Sequence, residues 1–337
     1  MGSNKKSPMP IGDNGTSSAE RLMPEALANA AARFVDSLKI NSISEAVRRG
    51  RSVVIKRRHV YSEQLTELAN LYFRIAGLPI RFCTKAEEWQ RWEVECFKML
   101  NGDRFRSSRL RNNAICIDQL PGESLWEHSN RRALNRRMVE AAGFEFRRAH
   151  QFWSKQFRGP WSHGDAGLAN VIYDEKSNRA RLIDFEIVHD KSLPALSRHA
   201  DDLLIFLLDL IATAPGRQWL PLTLAFLNAY DNAPVIVQLS RQLAPPSGMA
   251  WIWWGVRTSF ANPAKIKQRM AKLQDLTSHL RHYRAVAAAR ARQRRRASIT
   301  CQAMSAGIPR PISRARQTRE RAKAPSPGMP SKLPTTR

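Results

Sequence analysis

Residues 161–186 read WSHGDAGLANVIYDEKSNRARLIDFE, and the fold is decided by how this stretch is read. It sets one carboxylate, Asp165, in a tight glycine-containing loop, with a carboxamide, Asn170, five residues later. Apolar Val171, Ile172 and Tyr173 precede a polar turn over residues 174–178, after which Arg181, Leu182 and Ile183 lead to a second carboxylate, Asp184. Two short apolar runs split by a polar turn predict a β-hairpin. The hairpin folds the chain back and returns Asp184 close to Asp165 and Asn170. A base-like carboxylate plus an Asn/Asp pair able to hold Mg²⁺ is a compact set for phosphoryl transfer. Each Asp or Asn alone reads as a turn cap; the spaced set carries the chemistry.

Around this stretch the chain is long enough, at 337 residues, for two lobes with real cores or one domain with extensions. Its charge is unusual: 55 Lys and Arg against 29 Asp and Glu give +26. In residues 281–337 fifteen Lys or Arg face a single acid, Glu320, so +14 sits there and +12 remains in the first 280 residues. A basic body predicts an anionic partner: a nucleotide, a phosphorylated glycan, a membrane surface or nucleic acid. Cys83, Cys96, Cys116 and Cys301 form no C-x-x-C pair and have no His at ligand spacing. That argues against a zinc site or a disulfide framework and for reduced thiols in a cytoplasmic protein. The first 20 residues are polar and lack the apolar core of a signal peptide, and Lys6 spoils a myristoylation motif. The longest apolar run, 203–214, is short and contains Asp209, so it predicts a core helix and no transmembrane segment.

Along the chain, residues 1–20 read as disordered and 24–38 as a helix. Residues 46–56 read as a hairpin through Arg49, Gly50 and Arg51, its second strand ending in Lys56. Helical spacing marks 61–77 and 85–100, and Ala114 to Ile117 reads as a buried strand. Residues 131–153 read as one long basic helix. Further helices are expected over 197–214, 220–230, 236–243, 249–260 and 265–296, with a Pro/Ser/Arg-rich disordered tail beyond. Trp251, Trp253 and Trp254 read as core packing, with an interfacial anchor as the alternative.

At SHGDAGLAN followed by RLIDFE the sequence resembles the protein-kinase-like superfamily, and within it the branch of aminoglycoside phosphotransferases and lipopolysaccharide core-sugar kinases. The resemblance covers roughly residues 47–260 and is strongest over 163–208. It implies an α+β, bilobal protein-kinase-like fold. A small β-containing N-lobe with a helical insertion would cover 21–119 and a larger, mainly helical C-lobe 120–280, with a basic helix end and tail over 281–337. It implies ATP and Mg²⁺ as cofactors and assigns roles residue by residue. Asp165 would be the catalytic base, Asn170 and Asp184 the Mg²⁺ ligands, and His163 a structural member of the loop. Lys56 would touch the α- and β-phosphates, paired with Glu93 or, as runner-up, Glu67. Asp202, or alternatively Asp201, would brace the catalytic loop. The sequence LPGESL, residues 120–125, resembles the segment that links the lobes near the adenine. The sequence departs from the family pattern in having no G-x-G-x-x-G before Lys56.

Gly164 stands where many protein kinases have an arginine. Few residues separate the metal strand from the bracing helix, and no A-P-E is present. The expected acceptor is therefore a hydroxyl on a small molecule, sugar or envelope glycolipid. The basic body suits peripheral contact with an anionic membrane at its inner face. Two alternatives stay open: a Ser/Thr protein kinase, and a pseudokinase or binding module whose basic tail engages nucleic acid or acidic partners.

Overall fold

In the computed structural model, residues 40–244, 249–258, 261–262 and 264–278 are described, all within the first of two units into which the chain divides, 1–283. The helix expected over 24–38 and the Arg-rich tail lie outside the described residues. Strand β1 (Asn41–Arg48) turns through Arg49 and Gly50, both at positive φ, into β2 (Arg51–Arg58). A two-residue turn with both φ values positive matches the twist of an antiparallel pair. Helix α1 (Ser62–Ile75), strand β3 (Ile80–Phe82) and helix α2 (Ala86–Asn101) follow, then β4 (Ser107–Leu110) and β5 (Ala114–Asp118). The sheet is antiparallel in the order β1-β2-β5-β4, with Val53 opposite Asp118 and Lys56 opposite Ile115.

A capping box of Ser124 and Glu127 starts α3 (Leu125–Asn130), just after the short strand β6 (Glu123–Ser124). The long basic helix expected over 131–153 is two pieces of chain and a shorter helix. Arg132 sits at φ 57°, which interrupts helical winding. Asn135 then accepts the Met138 N–H and caps α4 (Arg136–Ala149). Beyond it, Trp153 and Ser154 belong to β7 (Trp153–Ser154), paired with β8 (Gly159–Pro160). Apolar spacing alone does not see a side-chain cap, so the expectation ran through both breaks.

The quoted stretch forms the hairpin expected of it: β9 (Val171–Asp174) pairs with β10 (Arg179–Leu182), and β6 adds to the other edge of β9. Strand β11 (Ile187–His189) pairs with β3, a contact too short for the sequence to signal. The apolar segment 75–82 packs there, with Phe73, Ile80 and Ile187 buried against Leu78, Phe82 and Trp253. Helices α5 (Ala195–Thr213), α6 (Trp219–Tyr230), α7 (Ala233–Gln242) and α8 (Ala250–Thr258) complete the fold with α9, residues 264–278. Fold class is thus mixed, a small antiparallel sheet with many helices. No helix among the described residues is long and apolar enough to cross a membrane.

The helical core centres on three rings. Phe206 and Phe226 stack at 4.1 Å, and Phe146 meets both edge-on at 5.3 and 5.4 Å. Such aromatic pairs add about 0.5–1.5 kcal/mol each beyond burial. Gly143 lets α4 approach α6 this closely, because a Cβ there would lie 2.5 Å from the Phe226 carbonyl and 2.8 Å from Ala229 Cβ. Helix propensity favours Ala over Gly by about 1 kcal/mol, so the sign of Gly143→Ala is diagnostic. We expect urea denaturation to report a loss of about 1–3 kcal/mol from overpacking; a gain would mean that α4 and α6 are not in contact at this point.

Candidate functional site

Alternation along β2 puts Lys56 on the sheet face opposite Arg51 and Val53. There its ammonium is buried among three carboxylates. Nζ lies 2.9 Å from Glu93 Oε1 on α2, 2.6 Å from Asp184 Oδ1 and 2.7 Å from Glu186 Oε1. Glu67 is exposed on α1, and no contact joins it to Lys56. Glu93 uses its second oxygen to accept the Phe185 N–H at 2.6 Å, while the Trp92 indole N–H donates to the Phe185 carbonyl at 2.8 Å. Neighbouring residues of α2 thereby hold both polar groups of Phe185, the residue between Asp184 and Glu186.

Burial works against the Lys56 charge, yet Asp184, Glu186 and Glu93 together hold its pKa well above the ordinary lysine value. Burial pushes Glu93 and Glu186 up, with Lys56 opposing the shift in both. One ammonium faces three carboxyl groups there. Asn41 on β1 also donates to Glu186.

The loop bearing Asp165 is fixed from behind by Asp202. This buried carboxylate accepts the His163 and Gly164 N–H groups, each at 2.8 Å, and lies 3.0 Å from His150 Nε2. Burial opposes its ionisation, but the hydrogen bond from His150 and the neighbouring His189 and His163 hold its pKa well below the usual carboxylate range. Asp201 instead meets His189 Nε2 at 3.1 Å. His163 is buried and its pKa is lowered, burial being the chief cause. Its Nδ1 accepts the Asp165 N–H and its Nε2 donates to the Ile183 carbonyl at 2.9 Å, which fixes a neutral tautomer. Gly164 stands at φ 92°, where a Cβ would lie 2.5 Å from the Ile187 carbonyl, so no larger residue fits here.

The Asn170 side-chain amide donates to the Asp165 carbonyl at 2.7 Å, and the Asn170 backbone carbonyl accepts the Ile183 N–H at 3.0 Å, so its side-chain Oδ1 is not used in either bond. These bonds tie the loop to the end of β10 and keep Asp165, Asn170 and Asp184 in one neighbourhood. Asp165 and Asp184 keep more than a third of their side-chain surface exposed.

Three participants escape the sequence reading. Arg257 on α8 pairs with Asp165 at 3.1 Å, and its guanidinium lies 5.1 Å over the Trp253 ring. Nothing local in the sequence links residues so far apart. Glu186 lies two residues after Asp184, but Asp184 stands at φ 64°, outside extended backbone, so strand alternation does not signal that both reach Lys56. Asp209 is the lone acid of an apolar run. It accepts the Leu168 N–H at 2.9 Å, and burial raises its pKa to about 7.

Among the described residues no group of three or more His, Cys, Asp or Glu is arranged to hold a metal ion. A smaller oxygen set is present. Asp184 commits only one oxygen to Lys56, and Asn170 spends its amide N–H on Asp165, leaving its carbonyl oxygen for a hard cation. That donor chemistry, hard oxygens beside a cluster of carboxyl groups, fits Mg²⁺.

No family model matches the chain, and no curated protein matches it. Among solved structures it is similar to Rv3197 of Mycobacterium tuberculosis, solved with erythromycin, at 13% identity and a TM-score of 0.32, over 63% of this chain and 64% of that one. It is also similar to vaccinia related kinase 3, at 12% identity and a TM-score of 0.33, over 72% of this chain and 84% of that one. The chain thus spans less than two thirds of the length of the first.

Asp202 gives a pH test of the loop. A carboxylate whose folded pKa is depressed contributes stability above its unfolded pKa of about 4, and that stability is lost as pH falls toward the folded value. Replacing it by Asn leaves buried donors short of an acceptor and should cost about 3 kcal/mol at pH 7. Urea melts between pH 7 and 3 should find the gap between wild type and Asp202→Asn closing below about pH 4. A gap that stays constant would contradict a buried charge at this position.

Proposed function

We propose that this chain is a phosphotransferase of bilobal, protein-kinase-like architecture. It would use ATP and Mg²⁺ to move the γ-phosphate to a hydroxyl of a small molecule, a sugar or an envelope glycolipid. The observation that carries the reading is the buried Lys56 ammonium, bonded at once to Glu93 and to Asp184, 128 residues away. Burying an ammonium among carboxylates is costly and stabilises little, so such a cluster beside an exposed carboxylate points to chemistry. The spacing of the HGDAGLAN and IDFE motifs in sequence supports the same reading.

In this reading Lys56 steadies the nucleotide phosphates, and Glu93 holds the lysine and the Phe185 backbone in place. Asn170 and Asp184 would hold Mg²⁺, which when bound neutralises charge on the phosphates. Asp165 accepts the proton of the attacking hydroxyl, once its pair with Arg257 loosens. His163 and Asp202 act through backbone contacts, keeping the loop at one geometry. A small acceptor is supported by the five residues, 190–194, that separate β11 from α5. So short a link leaves little chain for a platform that docks a peptide.

Asp165→Ala and Asp184→Ala, verified as folded, should each lower ATP-dependent phosphate transfer by about 10²–10⁴-fold across a panel of hydroxylated acceptors. Turnover equal to wild type in both would sink the assignment. Nucleotide binding is tested separately by thermal shift. Mg²⁺ with ATP at about 100 times its Kd should stabilise the wild type by about 2.7 kcal/mol. Lys56→Met should abolish most of that shift; no shift in the wild type would speak against a nucleotide site.

A further inference from the structure

Most arginines that crowd the sequence between 131 and 148 are neutralised by neighbours. Arg131 pairs with Glu123, Arg136 with Glu140, Arg147 with Asp231 and Arg148 with Glu145. The basic residues around the first hairpin are different. A cavity of about 880 Å³ is lined by Arg48, Arg49, Arg51, Lys98 and Arg106, with Asp118 as the one acid in its wall. Asp118 Oδ2 is already committed, 2.9 Å from Arg51 Nη1 and 2.9 Å from the Arg106 N–H. Among the described residues no carboxylate pairs with the side chains of Arg48, Arg49, Lys98 or Arg106. Five cations against one acid leave the wall at +4.

The cavity is not the Lys56 site seen from another side. Val53 lies opposite Asp118 and Lys56 opposite Ile115, so strand alternation sends Arg51, Val53 and Asp118 to the sheet face that Lys56 does not occupy. The side chains of its five cations are all exposed to solvent. Asp118 orients Arg51 and holds the Arg106 backbone, and the tight hairpin turn brings Arg48, Arg49 and Arg51 to one end of β2. Arg49 itself stands at φ 50°, a conformation in which Asn or Gly is the usual choice.

We propose that this cavity binds a ligand carrying two or more phosphate groups, independently of the Lys56 site. A single phosphate supplies at most two negative charges and cannot balance such a wall. Four of the five cations are arginines, whose planar forks match phosphate oxygens. The volume is that of a small-molecule site. A soluble phosphorylated molecule and a phosphorylated lipid headgroup present the same chemistry, and the test separates them.

The full chain is titrated calorimetrically with inorganic tripolyphosphate, and sedimented with phosphatidylcholine vesicles with and without phosphatidylinositol bisphosphate. Arg48→Gln/Arg49→Gln should weaken binding roughly tenfold or more, since each lost charge near the ligand is worth about 1 kcal/mol. A control of equal charge change at paired sites, Arg136→Gln/Arg147→Gln, should weaken it less than about twofold. Any binding at the nucleotide site should be lost in Lys56→Met, and the component that Arg48→Gln/Arg49→Gln weakens should persist in it. Vesicle binding that requires the bisphosphate and falls in the Arg48/Arg49 variant assigns the site to a headgroup; tripolyphosphate binding without it assigns a soluble ligand. Equal losses in both arginine pairs would reduce the effect to general electrostatics and overturn the proposal. So would binding lost only in Lys56→Met, or no binding of either probe.

Discussion

The burial of one ammonium, that of Lys56, among three carboxylates is the constraint on which the rest of the molecule turns. Removing such ions from water costs several kcal/mol each, and their attraction repays this only in good geometry. The geometry is supplied by four separate elements. Strand β2 brings the lysine, α2 brings Glu93, the end of the β9–β10 hairpin brings Asp184 and Glu186, and β1 adds Asn41. The Phe185 peptide, gripped by Glu93 and Trp92, connects sheet, helix and hairpin in one hydrogen-bonded unit. If the sheet shifted against that hairpin, the lysine would be left buried and unpaired.

A second buried carboxylate solves the complementary problem for the loop. Asp202 binds backbone donors at His163 and Gly164, so the loop is held by its peptide groups and not through the Asp165 side chain. Asp165 and Asp184 stay partly exposed as a result. The two arrangements divide the labour: one carboxylate is sacrificed to position, and others are left available. Arg257 sits between these roles, held over Trp253 and paired with the exposed Asp165. Arg257 thus links α8 to the loop that carries Asp165.

The charge of the body has the same two-sided character. On α4 three of the four arginines, Arg136, Arg147 and Arg148, are matched by acids one turn away or across to the C-terminal end of α6, and they add little field. Around the β1–β2 turn the cations share one acid, so the field there is concentrated. A net charge of +12 in the first 280 residues is therefore not spread evenly, and its location matters more than its size.

The sequence by itself determined the local elements. Apolar spacing marks α1, α2, α5 and α6 to within a few residues, and the two apolar runs at 171–173 and 181–183 specify the hairpin that returns Asp184 toward Asp165 and Asn170. The resemblance of its motifs also suggested Glu93 or Glu67 as the lysine's partner. A positive φ at Arg132 and the cap at Asn135 started α4 later than its periodicity implied, since the hydrogen bond that Asn135 accepts from the Met138 N–H outweighs pattern. Only the tertiary structure decided that Arg257 meets Asp165, that β3 pairs with β11, that Glu93 and not Glu67 reaches Lys56, and which arginines are neutralised. Those facts depend on how elements far apart in the chain pack. Periodicity fixes which face of an element is buried but not which distant side chain it is buried against.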